Sequence, residues 1–194
     1  MLGVIAVVCP FNFPALLTHG FVVPALVTGN TVVLKPSEVT PAVGQVYAEA
    51  FDEANLPKGV FNMVQGGGDV GARLVEHAGV DGVMFTGSAA TGHAIQAACA
   101  NQPGKMLVLE MGGKHPMIVC ADAPLERAAA AAVWGAFLNN GQVCVGVERV
   151  FIEADAHEVF VANVRARMAA LRVGPETTAD IGRFVLPQQF DRVQ

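Results

Sequence analysis

At 194 residues, with 53% hydrophobic and 15% charged side chains, the chain can bury one good core and part of another, and has no tail too polar to fold. A net charge of −5, without any cluster of lysine or arginine, argues against a nucleic-acid surface. The four cysteines (Cys9, Cys99, Cys120 and Cys144) lack metal-ligand spacing, so no metal site is expected, and they read as free thiols of a reducing, cytoplasmic compartment.

The apolar run at the N-terminus has no basic flank. Pro10 and Pro14 break it far short of a membrane span, so it reads as a buried strand over residues 3–8. The strand leads into Pro10-Phe11-Asn12-Phe13-Pro14 and then a largely apolar segment, helical in part, up to Leu26. After the turn Thr28-Gly29-Asn30, residues 31–34 form a second strand with Lys35-Pro36-Ser37-Glu38 at its exit. A helix starts at Thr40-Pro41, a cap residue followed by proline at the first helical position, and ends near Asn55-Leu56-Pro57. Residues 60–64 make a third strand, and Gly66-Gly67-Gly68-Asp69-Val70-Gly71 turns into a helix reaching about Glu76. Residues 82–86 are a fourth strand, and Gly87-Ser88 opens a helix towards Ala100. The fifth strand, residues 105–109, delivers Glu110 ahead of Met111-Gly112-Gly113. An Ala-rich helix around residues 128–132 follows, and Asn139-Asn140-Gly141-Gln142-Val143-Cys144 then places a thiol in a glycine-containing loop. Repeated βα units of this kind imply an α/β fold with a doubly wound parallel sheet and helices on both faces.

Such a sheet receives ligands at the carboxyl ends of its strands. Gly66, Gly68 and Gly71 match G-x-G-x-x-G, with Gly67 inside the match; the alternative is a tight turn made of glycine. Ser88, with Gly87 and Gly92 around it, either caps a helix or also offers that helix's free N–H groups to a pyrophosphate. Lys35 and Glu38 stand where a nucleotide ribose is held in such folds, or are simply exposed loop charges. Glu110 and Cys144 suit covalent catalysis, a carboxylate as base and a thiolate as nucleophile; the alternative for Cys144 is a small buried hydrophobe. Cys9 and Cys120 are placed in apolar strands and Cys99 late on a helix, which leaves Cys144 as the reactive thiol.

Six motifs then occur in one order: Pro10-Phe11-Asn12-Phe13-Pro14, Gly29-Asn30-Thr31-Val32-Val33, Lys35-Pro36-Ser37-Glu38, Phe85-Thr86-Gly87-Ser88, Glu110-Met111-Gly112-Gly113 and Gly141-Gln142-Val143-Cys144. In that order and spacing the chain resembles the aldehyde dehydrogenase superfamily from about Gly3 to its end. Within it, His19-Gly20, Val64-Gln65-Gly66-Gly67 and Gln102-Pro103-Gly104-Lys105 are similar to succinylglutamic semialdehyde dehydrogenases. The resemblance implies a Rossmann-like NAD-binding domain over residues 1–111 and the first part of an α/β catalytic domain over residues 112–194. It implies that Cys144 attacks an aldehyde or semialdehyde, that Asn12 and the Cys144 N–H hold the oxyanion, and that Glu110 activates the hydrolytic water. Losing one oxyanion donor typically costs on the order of 3 kcal/mol in the barrier. It assigns the adenosine ribose to Lys35 and Glu38, with the carboxylate favouring NAD over NADP, and the cofactor's phosphates to Gly67, Gly87, Ser88 and Gly92.

The chain also departs from the pattern. Phe11 stands where many members carry tryptophan, Lys114-His115 where the semialdehyde group shows two asparagines, and Val145-Gly146-Val147-Glu148 is unlike that group too. A complete member is more than twice as long and carries a later Glu-x-Phe-Gly-Pro motif, so the chain reads as a central fragment of an enzyme that is a homo-oligomer when complete. The alternative is a truncated remnant that binds a nucleotide or a partner without turnover. No nucleic-acid or membrane partner is expected.

Overall fold

The computed structural model describes residues 1–193, and the chain divides into two compact units, Met1–Met111 and Gly112–Gln194. In the first unit, β1 (Val4–Val8) is the run VIAVV, apolar at every position because both of its faces are covered. It pairs in parallel with β2 (Thr31–Lys35) on one side and β4 (Gly82–Gly87) on the other. β3 (Phe61–Met63) extends the sheet beyond β2 and β5 (Met106–Met111) beyond β4, giving the all-parallel order β3-β2-β1-β4-β5. The direction of winding reverses at β1, which opens a crevice at the carboxyl ends of β1 and β4.

Alternation along β1 builds the two cores. Ile5, Val7 and Cys9 pack with Val22 and Ala25 of α1 (Pro14–Val27) and, at the margin, with Tyr47 and Phe51 of α2 (Pro41–Glu53). Ala6 and Val8 pack with Val75 of α3 (Gly68–Glu76) and with Ile95 and Cys99 of α4 (Ala89–Cys99). Pro41 takes the first helical position as expected, while the Thr40 side chain makes no cap bond. α1 is helical throughout rather than in part, with Pro24 inside it.

The second unit holds two strands that no residue pattern announces. β6 (His115–Val119) and β7 (Val147–Ile152) pair in parallel, joined through α5 (Leu125–Phe137), and α6 (His157–Ala169) follows β7. Val119, Ala129, Ala132 and Phe160 form the core between strands and helices. Ile118 and Phe151, paired in register, are exposed. Pro116 and the Glu148-Arg149 pair break the apolar alternation that would have marked these strands. Cys120 follows β6 and is exposed, a correction to its expected place in an apolar strand; the chain leaves the sheet at Val119, and the thiol faces solvent. Among the described residues, no helix is long and apolar enough to cross a membrane, and no His, Cys, Asp and Glu group could hold a metal ion.

Candidate functional site

The strand register of the first unit brings the exits of its five strands to one edge. Val8 lies opposite both Lys35 and Phe85, and Thr86 lies opposite Glu110. Asn12, half-buried, follows β1 along this edge.

Lys35 corrects the bland expectation of two exposed loop charges. Only 3% of it is exposed, and its Nζ donates to the carbonyls of Pro36 and Gly66, each at 2.7 Å. A buried ammonium survives only with such partners. Glu38 Oε2 is its third neighbour, at 3.4 Å, and the Glu38 side chain is 57% exposed. Lys35 therefore staples the exit of β2 to the exit of β3 and steadies a carboxylate that faces solvent. Gly66 adopts φ +156°, and a Cβ there would overlap Val70, so the stapled turn requires glycine. Gly67 is the N-cap residue of α3.

Ser88 caps α4, its Oγ accepting the Thr91 N–H at 3.2 Å. With that bond made, the first N–H groups of α4 remain for an anion. Gly92 and Gly87 also have packing reasons: a Cβ at Gly92 would overlap Met111, and one at Gly87 would overlap the Phe85 ring. The absence of a side chain at Gly92 lets α4 lie close on β5, the strand whose last two residues are Glu110 and Met111. Glu110 itself is exposed.

Cys9, at the same edge, is buried among apolar side chains, and that burial pushes its thiol from 9.0 up to about 11, against smaller lowering by the Thr18 hydroxyl and the Lys35 ammonium. Below pH 9 both folded and unfolded chains keep this proton. Between pH 9 and 11 the unfolded chain loses it first, so stability falls as pH rises, by on the order of 3 kcal/mol across the window. Denaturant unfolding of the wild type and Cys9→Ala at pH 8 and pH 11 should show the wild type losing more. Equal losses would remove Cys9 as the cause.

Cys144 belongs to the second unit. After α5, Asn139, Asn140 and Gly141 take φ values of 51°, 61° and 74°, three consecutive left-handed residues that swing the chain away from the helix. Asparagine and glycine tolerate this region best, which is the local reason for the Asn-Asn-Gly sequence. Gln142 N–H donates to the Asn139 carbonyl at 3.1 Å, and Gly146 N–H closes the next turn onto Val143 O at 3.3 Å. Cys144 sits half-buried in that turn. The loop is tied to the segment that follows α6. Asn140 donates to Arg183 O and accepts from Gly182 N–H, both at 2.9 Å, and Gln142 Oε1 accepts from Val185 N–H at 3.3 Å. Sequence reasoning missed these ties and also His115, whose Nε2 lies 2.8 Å from the Cys144 carbonyl oxygen. Only the left-handed-prone Asn-Asn-Gly run signalled an unusual loop.

Asn12, Lys35, Glu38, Gly67, Gly87, Ser88, Gly92 and Glu110 thus lie in the first unit, and Cys144 in the second. Residues 1–194 match the model of the aldehyde dehydrogenase family. The N-succinylglutamate 5-semialdehyde dehydrogenase of Sphingopyxis alaskensis is 47% identical over 163 residues, 84% of this chain and 34% of that protein. Lactaldehyde dehydrogenase from Escherichia coli superposes with a TM-score of 0.94 at 39% identity, over 99% of this chain and 41% of that one. A 1-pyrroline-5-carboxylate dehydrogenase from Thermus, with bound NAD, gives 0.94 at 36% identity over 99% and 39%. The chain spans about a third of the length of the curated relatives it matches, 34% and 36%.

Proposed function

The chain belongs to the aldehyde dehydrogenase family, and we propose that it carries the nucleophile, the base and the cofactor contacts of an NAD-dependent enzyme that oxidises a semialdehyde to a carboxylate. The observation that carries this reading is the Cys144 turn, a half-buried thiol presented by three consecutive left-handed residues. Cys144 attacks the aldehyde carbon as a thiolate, forming the C–S bond while the carbonyl electrons move to oxygen. The Asn12 side-chain amide and the Cys144 N–H hold that oxyanion. A nicotinamide cofactor held at the strand edge by Glu38 and the N–H groups opening α4 would supply the hydride acceptor, and Cys144 would then carry the acyl group as a thioester. Glu110 then takes a proton from water, whose oxygen attacks the thioester and releases the carboxylate and the thiolate.

The residues at the strand edge fit a dinucleotide. Ribose hydroxyls are donors, and the exposed Glu38 carboxylate is an acceptor fixed by a buried cation. Lys35 has its ammonium engaged by two carbonyls and Glu38, so it sets the position of Glu38, and reaching the sugar itself would cost one of those bonds. The N–H groups opening α4 beyond Ser88, with Gly87 and Gly92 on either side, suit the pyrophosphate, and Gly67 at the head of α3 borders the same edge. The Sphingopyxis relative's name supports a semialdehyde as the substrate class. In its complete form the enzyme is cytoplasmic and homo-oligomeric in this reading.

The test is reduced-cofactor formation from a panel of semialdehydes by a form extended to the length of its relatives. Wild type and Glu38→Gln are each assayed with NAD and with NADP. The wild type should prefer NAD, because a carboxylate at the ribose edge repels a 2′-phosphate. Glu38→Gln should shift the ratio of kcat/KM towards NADP by about tenfold, or about 1.4 kcal/mol, which lies between the ~1 kcal/mol of a charge pair at about 4 Å in water and the ~4 kcal/mol at an effective dielectric near 20. An unmoved ratio removes Glu38 from the ribose, and absence of turnover with every semialdehyde removes the activity.

A further inference from the structure

The turn that bears Cys144 is held from β6 by a hydrogen bond whose polarity the chemistry fixes. His115 Nε2 lies 2.8 Å from the Cys144 carbonyl oxygen. A carbonyl oxygen only accepts, so Nε2 carries the proton and donates, whichever state Nδ1 is in. The bond therefore survives protonation of the ring, which adds its proton at Nδ1. The turn's own closure, from Gly146 N–H to Val143 O, does not use the Cys144 carbonyl.

The backbone at the base of the imidazole is tied across to β7. The Arg149 guanidinium of β7 donates through Nε and Nη2 to the Lys114 carbonyl, at 3.2 and 2.8 Å, and Lys114 pairs with Glu148. The residue before His115 is thus clamped to β7, and His115 itself lies in register with Val147. Gly113 leaves room for the ring, since a Cβ there would stand 2.6 Å from Nε2 and push it off the carbonyl. The two ends of one short bridge, a clamped strand and a strained turn, are therefore both built.

The geometry points to His115 as a positioning residue for the Cys144 thiol, holding through Nε2–H the carbonyl of the residue that bears the sulfur. Fixing that peptide plane fixes ψ of Cys144 and so the direction in which its Cα–Cβ bond presents the sulfur. The role rests on Cys144 being the nucleophile. Cys120, exposed just beyond the same strand, supplies an internal reference, because it reacts without needing the turn.

The experiment is brief iodoacetamide labelling of the chain near neutral pH, followed by peptide mapping of the Cys144-to-Cys120 ratio in wild type, His115→Val and His115→Gln. Valine keeps the strand and removes the donor, whereas the glutamine amide can donate to the same carbonyl. A net hydrogen bond corresponds to about a 2- to 10-fold change in the population of an opened turn. His115→Val should raise the ratio by about that factor, and His115→Gln should return it to within about twofold of wild type. A ratio in His115→Val that is unchanged or lower overturns the proposal, as does a glutamine variant displaced as far as the valine one. Limited proteolysis within α5 or α6 would report unfolding of the second unit in His115→Val, and His115→Gln then decides alone, a wild-type ratio supporting the role and a raised one overturning it. Turnover plays no part in these ratios, so the nucleophile reading fails separately, by activity that persists in Cys144→Ser.

Discussion

Cys144→Ser, in a form extended to the length of its relatives, should lose at least about 1000-fold in kcat. The replacement is nearly isosteric, so the turn built by Asn139, Asn140 and Gly141 should survive it. What changes is the attacking atom. A thiol is a few per cent thiolate at neutral pH and intrinsically very nucleophilic, whereas a serine hydroxyl needs an adjacent base. His115 could be that base only if its ring faced the side chain, and Nε2 is bonded to the Cys144 carbonyl instead. Cofactor affinity should be unaltered, because Lys35, Glu38 and Ser88 are untouched. The measurements are kcat with the preferred semialdehyde and the equilibrium affinity for NAD. Activity within tenfold of wild type would sink the assignment, and lost cofactor binding would mean that the substitution had damaged the fold.

The first unit was legible because its sequence is locally consistent. β1 is an unbroken β-branched and apolar run, and a strand buried on both faces has no need of alternation. Pro10, Pro14, Gly29, Pro57 and Gly66 fall between elements or at a helix start, whereas Pro24 lies inside α1. β6 and β7 were not legible because an exposed face relaxes the demand for apolar residues, and both strands carry polar or proline positions. Lys35 shows a second limit. Its charge argues for solvent, and its burial depends on the Gly66 carbonyl 31 residues later, which no local pattern announces. His115 and Cys144 are 29 residues apart, and the tie between them exists only once β6 and β7 have paired. The candidate residues themselves were visible as motifs. Of their bonding the Ser88 cap was visible, whereas the ties of Lys35 and His115 were not, since they are made to backbone carbonyls that carry no side-chain identity.

Glu110→Gln should separate the two halves of the reaction. If Glu110 only activates the hydrolytic water, attack by Cys144 and hydride departure proceed once per active site without it, and the thioester then waits. The expected result is a stoichiometric burst of reduced cofactor followed by a steady rate lower by about 100- to 10,000-fold, the usual share of a general base. Glutamine preserves the shape at the end of β5, and because the residue is exposed, no buried charge or packing contact is lost with the carboxylate. A stability change beyond about 0.5 kcal/mol is therefore not expected. Intact mass during the slow phase should show the acyl group on the chain, and peptide mapping should place it on Cys144. Loss of the burst together with the steady rate would mean that Glu110 acts before the hydride leaves, by taking the thiol proton. A steady rate within threefold of wild type would mean that another group activates the water. Only the burst with a trapped acyl group fits a carboxylate whose one task is to make water a nucleophile.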